Sequence, residues 1–421
     1  MNIRIHWAWL IFIASFFNIF TYFSIRFGYS ILMPEMIVSL KISKTEAGAI
    51  ASSFFVAYTI FVPLLGYLVD RISARKLLTL FSMILAGGTF LMGKPVSLFQ
   101  ACLFFGIVGI GSSAMWIPVA ALAQRWFHLQ RHGIILGSLS LGYSLGYGLE
   151  GLVLPALAAR FGWRTCWLIL SLPALASVFL NWAFIRTQPR DLGLEPWGGK
   201  SFRYFEHQSL EEKTIVPYGK LLRFRNLWLG AISYFFIAYA AYVFNVFMVT
   251  YGSVELKFPL ARAAHLGSII AFSGIAGVLL LPSLSDYIGK KRALVIINGS
   301  MALSILLIIW AGTRWPALVV STALFGVFYA AVWPVYAAVP TDFFPRGVTG
   351  SVLGFWTLFY GLALVLAPAL GGYMADLTGT FISSFLTGAI SGALAILFLL
   401  PMRKSSETPE NSPVPPGPDG G

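Results

Sequence analysis

The chain has 421 residues, of which 58% are hydrophobic and only 11% are charged, and its formal net charge is +13 at pH 7. Soluble domains contain roughly 25% charged residues, so this composition excludes an ordinary soluble protein. Apolar runs near the ~20 residues that a spanning helix requires recur along the chain. We therefore predict an all-α membrane protein, because a helix satisfies its own backbone hydrogen bonds in lipid.

The apolar runs predict twelve transmembrane helices in two pseudosymmetric bundles of six. One long polar stretch, 187–225, is expected to be a cytoplasmic linker between an N-terminal bundle at 1–186 and a C-terminal bundle at 226–402. Residues 403–421 are rich in Pro, Ser and Gly and are expected to form a disordered cytoplasmic tail. The predicted spans are 7–38, 47–69, 77–94, 97–124, 134–159, 163–186, 226–251, 264–287, 293–312, 315–340, 347–374 and 380–402.

The positive charge indicates topology rather than nucleic-acid binding. Most Lys and Arg residues outside the spans fall on the side of the N-terminus, so the positive-inside rule places both termini in the cytoplasm. The first span is too long for a signal peptide and lacks a small-residue cleavage site, so we expect it to be retained. The short termini and compact loops favour a bacterial inner membrane. Cys102 and Cys166 lie in separate spans, which predicts no disulfide framework.

Arg26 is the most informative residue of span 1, because its charge lies at membrane depth. On insertion scales such a residue costs at least ~2.5–3.5 kcal/mol, so it persists where it is paired, reaches water or binds a ligand. Tyr22 lies one turn earlier on the same face. We therefore predict that Arg26 and Tyr22 bind an anionic substrate.

Two loops occur twice at nearly one separation, which indicates a duplicated six-helix unit. Asp70 after span 2 recurs as Asp286 after span 8, and both aspartates precede basic residues. The loop before span 5 begins at Arg125, and its second copy before span 11 begins at Asp342. The number of residues between these two copies is almost the same as that between Asp70 and Asp286. Such repeats place the substrate site near the midplane between the two halves, which rock around it.

The first of these loops, Gly66-Tyr-Leu-Val-Asp70-Arg71-Ile-Ser-Ala-Arg75-Lys76, resembles the signature loop of the major facilitator superfamily. The resemblance covers residues 1–402 and implies a secondary transporter that alternates access, with no enzyme activity and no cofactor. Ser73 stands where the signature has glycine. A glycine lets two helices approach closely, an aspartate can face a helix N-terminus, and basic residues contact anionic lipid. The predicted gating residues are Gly66, Asp70, Arg71, Arg75, Asp286 and Arg292.

Finer likenesses point to anion carriers. The segment Gln188-Pro-Arg-Asp191-Leu-Gly-Leu-Glu-Pro196 resembles the region after helix 6 of oxalate/formate and monocarboxylate porters. Span 1, with Arg26, is equally similar to that of organophosphate antiporters and organic-anion symporters. Both groups usually carry a second basic residue in the C-terminal half. This chain has Leu281 at the position of that residue in monocarboxylate porters and Ala241 at its position in organophosphate antiporters. A single arginine favours a monocarboxylate over a dianion bound from both sides.

Glu150 is the other charge at depth, on a face of span 5 shared with Tyr143 and Tyr147. Counted from the cytoplasmic ends at ~1.5 Å per residue, Glu150 and Arg26 lie at similar depth. We therefore expect an ion pair between them. Glu150 could carry a coupling proton once released, or the pair could serve only helix packing.

The second half offers aromatic and amide side chains in place of charge, which would suit an anion with an apolar or hydroxylated body. The alternative for each aromatic residue is a lipid-facing stripe. The candidate substrate-binding residues are Tyr242 and Asn245 on span 7, Tyr329, Trp333 and Tyr336 on span 10, and Trp356 and Tyr360 on span 11, alongside Arg26, Tyr22, Tyr147 and Glu150.

Together these features predict secondary active transport of a small organic anion, a monocarboxylate, by proton symport or by exchange. The partners expected are this anion, protons and the bilayer, with a monomer as the functional unit and no metal or nucleic acid. An organophosphate or inorganic-anion exchanger and a drug exporter, in which Arg26 is only structural, stay open. So does a transporter-like receptor, which would bind the ligand without flux.

Overall fold

In a computed structural model the described residues are 6–69, 71–198, 221–345 and 348–403. Eleven helical runs in these ranges are long and apolar enough to cross a membrane. We number the spanning helices α1 Trp7–Leu40, α2 Lys44–Leu68, α3 Ala74–Leu91, α4 Leu98–Trp126, α5 and α6 within His132–Phe184, α7 Arg225–Glu255, α8 Leu260–Ile288, α9 Lys290–Ala311, α10 Trp315–Phe343, α11 Thr349–Thr378 and α12 Phe381–Leu399.

The run His132–Phe184 contains two spans because Gly162 interrupts it. Gly162 adopts φ 75° and ψ 160°, a conformation that glycine reaches without steric cost. We call the part before Gly162 α5 and the part after it α6. Counted in this way, the described ranges contain the twelve spanning helices that the sequence predicts, in two bundles of six.

Short polar residues begin several of these helices. Ser43 accepts a hydrogen bond from the backbone N–H of Glu46, whose carboxylate accepts one from the backbone N–H of Ser43 in return, which makes a capping box at the start of α2. Ser97 and Thr380 cap α4 and α12 through their hydroxyl oxygens. These caps satisfy N–H groups that the first turn of a helix leaves free, so the loops between spans can be short.

Each bundle is tied together by a buried polar network. In the N-terminal bundle the Asn181 amide donates to Asn18 at 3.0 Å and to the Ser82 hydroxyl at 2.9 Å. In the C-terminal bundle Asn298 donates to the Tyr336 hydroxyl at 2.9 Å. Ser82 and Asn298 occupy corresponding positions of the two copies, so the internal repeat places a polar group at the same point of both halves. Interhelical hydrogen bonds of this kind hold spanning helices in register.

The two halves meet closely at one end, which we call the closed face, where α1 ends and α2 begins. Asp376 accepts hydrogen bonds from the backbone N–H groups of Lys44 at 3.1 Å and Thr45 at 2.7 Å. The Lys44 ammonium lies 3.4 Å from Glu255, which also accepts from the backbone N–H of Phe381 at 2.6 Å. Carboxylates of the C-terminal half therefore cap helix N-termini in both halves, a position where negative charge is stabilised.

The closed face is packed as tightly as backbone allows. A Cβ at Gly48 of α2 would lie 2.1 Å from the Pro368 carbonyl oxygen of α11. A Cβ at Gly151 of α5 would lie 2.6 Å from the Ala264 carbonyl oxygen of α8. In the internal repeat Gly48 corresponds to Ala264 and Gly151 corresponds closely to Pro368, so the two contacts are related by the duplication. The halves thus associate about a pseudo-twofold axis, as in other carriers built from repeats.

The opposite end, which we call the open face, lacks this packing. Added Cβ atoms at glycines near the open ends of α2, α5 and α11 would meet nothing within 4 Å, at Gly66, Gly133, Gly137, Gly350 and Gly354. Exposed Leu280 and Leu284 line the corresponding end of α8. The described residues therefore form a V-shaped pair of bundles, joined at the closed face and separated at the open face.

Candidate substrate-binding site

Arg26 lies where the two halves meet, on α1. One of its terminal nitrogens donates to the Tyr22 hydroxyl at 2.5 Å, and the other donates to the Tyr242 hydroxyl of α7. Tyr242 is 216 residues from Arg26, so it is the repeat counterpart of Arg26 in the other half. The buried Nε of Arg26 has no hydrogen-bond partner among the described residues. The Nε–H of the guanidinium is therefore left for a ligand.

Aromatic rings surround the guanidinium. The Arg26 Cζ atom lies 5.1 Å from the ring centre of Phe55, 5.6 Å from Phe27 and 5.8 Å from Phe23. The rings of Tyr22 and Tyr242 lie at 5.7 and 5.2 Å. Each such cation–π contact contributes about 0.5–2 kcal/mol. These neutral groups stabilise the cation without cancelling its charge.

The expected ion pair between Arg26 and Glu150 is wrong for this structure. Ion pairs in the described part of the chain join Lys44 to Glu255 and Lys290 to Asp342, and none joins Arg26 to Glu150. The half-buried Glu150 carboxylate lies beside the hydroxyl of Ser24. Ser24 and Arg26 are two positions apart on one helix and so point in nearly opposite directions, which depth along the helix does not reveal.

Asn245 is held across the boundary between the halves, one turn beyond Arg26 toward the closed face. Its Oδ1 accepts a hydrogen bond from the Tyr147 hydroxyl of α5 at 2.9 Å. Its backbone carbonyl oxygen accepts one from Ser30 of α1 at 3.1 Å. The buried Nδ2 of Asn245 has no partner in the described ranges. Tyr147 thus fixes the amide so that its N–H group is available to a ligand.

Two of the aromatic candidates in α10 and α11 contact Tyr242 of this site, and Trp333 contacts the other half farther along α10. Tyr360 donates to the Tyr242 hydroxyl at 3.1 Å, and the Tyr329 ring centre lies 6.5 Å from that of Tyr242. Trp333 is 46% exposed and packs its ring 6.3 Å from Trp116 of α4.

Tyr336 and Trp356 are fully buried inside the C-terminal bundle. The Tyr336 hydroxyl belongs to the network with Asn298, and the Trp356 indole donates to the Leu227 carbonyl oxygen at 2.8 Å. The spacing of four residues on one helix face predicted a shared wall of the cavity for these rings. Their hydrogen-bond partners lie within the bundle, which gives them a packing role.

The predicted gating residues that the structure describes lie at the open face. Arg71 donates to the Tyr67 hydroxyl, and the Arg75 guanidinium lies 4.1 Å from the ring centre of Trp182. Asp286 and Arg292 are exposed, and Asp70 lies outside the described residues. The space around Gly66 is empty, so the close helix approach expected there is absent from this structure.

In the second copy of the loop an ion pair joins two residues that were not among the predicted gating residues. The Lys290 ammonium lies 2.8 Å from the Asp342 carboxylate and 2.7 Å from the Thr341 hydroxyl. This pair joins the two repeated loops of the C-terminal half to one another. Both residues lie in the loop segments that occur twice in the sequence. The repetition of these segments was therefore the feature of the sequence that could have pointed to this ion pair. Nothing in the sequence pattern singled out Lys44, Gly48 or Asp376 at the closed face.

Comparison with known proteins agrees with this architecture. The sequence model of the Major Facilitator Superfamily matches residues 11–314 and 275–419. The chain is 26% identical over 408 residues to the hexuronate transporter of Bacillus subtilis (strain 168), with 92% of this chain and 94% of that protein covered. It is 22% identical over 393 residues to the probable sulfoacetate transporter SauU of Cupriavidus necator, with 90% of each covered.

A solved structure shows the same fold. A crystal structure of a mutant of the nucleoside transporter NupG matches with a TM-score of 0.77 and 16% identity, over 95% of this chain and 100% of that one. The family match spans most of the chain, and the twelve helices form the two bundles described above. This protein therefore belongs to the Major Facilitator Superfamily and is a membrane transporter, not an enzyme.

Proposed function

We propose that the chain carries a small organic anion across the membrane and that Arg26 is the anion site. The observation that carries this proposal is a guanidinium between the halves that contacts neutral phenols, holds an unpartnered Nε, and is joined to no carboxylate among the described residues. An anion would supply the missing charge. Hexuronate and sulfoacetate, named for the two relatives, are both organic anions.

A monocarboxylate suits the site better than a dianion. In the described parts of α7 to α11, Lys and Arg side chains stand near helix ends and away from the site, as Arg225, Arg262 and Lys290 do. The groups that the second half offers near Arg26 are Tyr242, Tyr360 and Asn245. Phenols and amides can bind hydroxyl or carbonyl groups, but they do not neutralise a second negative charge.

The state of the carrier follows from the proposed topology. With both termini in the cytoplasm, the open face is cytoplasmic and the closed face is on the outside, so this structure is inward-open. Binding between the halves and rocking about the pseudo-twofold axis would then expose Arg26 to the two sides in turn. The signature loop with Asp70, at the cytoplasmic ends of α2 and α3, keeps its proposed gating role.

A screen of small organic acids tests the proposed function. Because a ligand that binds only the folded state raises the melting temperature, purified wild-type protein should be stabilised by monocarboxylates such as galacturonate or benzoate. Inorganic phosphate and cationic drugs should have little effect. Ligands found in this way should be taken up by vesicles containing the protein. Stabilisation by cationic drugs alone would favour a drug exporter, and binding without uptake would favour a receptor.

The proposed coupling mechanism depends on Glu150, the acidic residue at membrane depth in α5. If Glu150 carries a coupling proton, Glu150→Gln should mimic the protonated state and abolish uptake driven by a pH gradient. Exchange of labelled for unlabelled substrate at equal pH should persist, since exchange requires no proton release. Both activities are measured on the same vesicles. Accumulation by Glu150→Gln at wild-type levels under an acid-outside gradient would show that Glu150 does not carry the coupling proton.

A further inference from the structure

The hydroxyl of Tyr143 on α5 is a buried polar group that the fold leaves unused. Within the described ranges it is the one tyrosine hydroxyl that is buried and has no hydrogen-bond partner. Neighbouring phenols are engaged, since Tyr22 accepts from Arg26. Tyr147, one turn farther along α5, donates to Asn245. Burying a hydroxyl without a partner costs free energy, so packing gives no reason for a hydroxyl at this position.

Tyr143 shares its aromatic neighbours with Arg26. The centre of the Tyr143 ring lies 4.8 Å from that of Phe23 and 5.8 Å from that of Phe27. The Arg26 Cζ atom lies 5.8 Å from the ring centre of Phe23 and 5.6 Å from that of Phe27. The phenol and the guanidinium therefore pack against the same two rings of α1.

Tyr143 lies on the side of Arg26 that is nearer the open face. The Tyr147 ring stacks on Phe27 at 3.8 Å, whereas the Tyr143 ring is nearer to Phe23. Phe23 precedes Arg26 by three residues on a helix that begins at the open face, which places it about 4.5 Å nearer that face. Arg26 and Tyr143 are both half-buried. An anion that enters from the open face therefore passes the Tyr143 phenol to reach Arg26.

The Tyr143 hydroxyl also borders the second half. It points toward Tyr329 of α10, but no hydrogen bond joins the two side chains. The Tyr329 ring centre lies 6.5 Å from that of Tyr242, which is bonded to Arg26. The phenol thus stands between the bundles, close to the guanidinium, and offers a proton that no acceptor in the described residues takes.

We propose that Tyr143 is a further substrate-binding residue, whose hydroxyl donates a hydrogen bond to the carboxylate that Arg26 binds. This proposal rests on the proposed function, because the carboxylate is the one bound at Arg26. The guanidinium supplies the countercharge, and the phenol supplies a second donor from α5 of the same half. The unpartnered hydroxyl reduces the stability of the ligand-free protein, and the bound carboxylate provides the missing acceptor.

Tyr143→Phe removes the hydroxyl and keeps the ring, so it separates binding from packing. The probes are galacturonate and benzoate, which share a carboxylate and differ in the rest of the molecule. On the purified full chain, the affinity for each acid should fall by at least about tenfold, because a hydrogen bond to a charged group is lost. The melting temperature without ligand should stay the same or rise, because the hydroxyl makes no bond within the fold.

Tyr239→Phe is the matched control, since it removes a buried tyrosine hydroxyl that has a partner. That hydroxyl lies 3.3 Å from the Thr387 hydroxyl of α12, within the C-terminal bundle. The variant should leave the affinity for both acids unchanged. Arg26→Ala, measured beside it, should abolish the binding of both acids.

The outcomes separate this proposal from the proposed function. If Tyr143→Phe binds both acids with wild-type affinity while Arg26→Ala binds neither, Tyr143 is not a binding residue and the anion site stands. A lower melting temperature with unchanged affinity would assign the hydroxyl to packing. If galacturonate binding weakens and benzoate binding does not, the hydroxyl contacts a substituent and not the carboxylate. If neither acid binds in an Arg26-dependent manner, both proposals are wrong.

Discussion

Replacing Arg26 with alanine should reduce uptake of the anion to below about 1% of the wild-type rate. Hydrogen bonds to charged groups contribute about 1.5–3 kcal/mol each. In the variant a bound carboxylate would lose at least one such bond from Arg26, and it would also lose the positive charge that neutralises it. Arg26→Lys should retain part of the activity, with affinity weaker by about tenfold or more, because an ammonium lacks the planar fork that matches a carboxylate. Uptake into vesicles and ligand displacement on purified protein measure the two effects.

Expression and folding of the Arg26 variants need a matched control. Arg314→Ala removes an exposed arginine that stacks on Trp310 outside the site, and it should leave uptake unchanged. The Arg26→Ala protein should remain extractable and monodisperse, since removing an unneutralised charge from the interior relieves a desolvation cost. Wild-type uptake by Arg26→Ala vesicles would contradict the anion site.

Replacing Gly48 with alanine should prevent the closed face from closing. The new Cβ would lie 2.1 Å from the Pro368 carbonyl oxygen, which is backbone and cannot move aside as a side chain could. Alanine is also a better helix former than glycine by about 1 kcal/mol, so α2 itself should be no less stable. The carrier should then stay open on the outside, and exchange across the membrane should fall by at least about tenfold. Ligand affinity should change far less.

Accessibility of the closed face provides the direct measurement. Ser52 of α2 is buried there and donates to the Val365 carbonyl oxygen at 2.7 Å. A cysteine at this position, Ser52→Cys, should be protected from a membrane-impermeant maleimide in the parent protein and labelled when combined with Gly48→Ala. Gly137→Ala is the matched control, because a Cβ at Gly137 of α5 would meet nothing within 4 Å. Wild-type exchange by Gly48→Ala, with Ser52→Cys still protected, would show that this packing does not govern closure.

The sequence by itself determined the number of spans and the repeat. Lipid offers no hydrogen-bond partner to the backbone, so each apolar run of sufficient length must be a helix, and composition alone identifies it. The loops after spans 2 and 8 identified the duplication because the same pattern of an aspartate and basic residues recurs in both. The sequence also identified Arg26 as a candidate binding residue, because a charged side chain at membrane depth is costly and is retained where it has a partner or a function.

Only the tertiary structure decided what Arg26 contacts. Depth along two helices suggested Glu150, but the direction of each side chain depends on how α1 is rotated against α5 and α7, and packing sets that rotation. The structure turns Ser24 toward Glu150 and Arg26 toward Tyr242. The hydrogen bond between Tyr147 and Asn245 and the contact between Gly48 and Pro368 likewise join residues that are far apart in the chain. Their meeting depends on how the two bundles dock, which no local pattern in the sequence records.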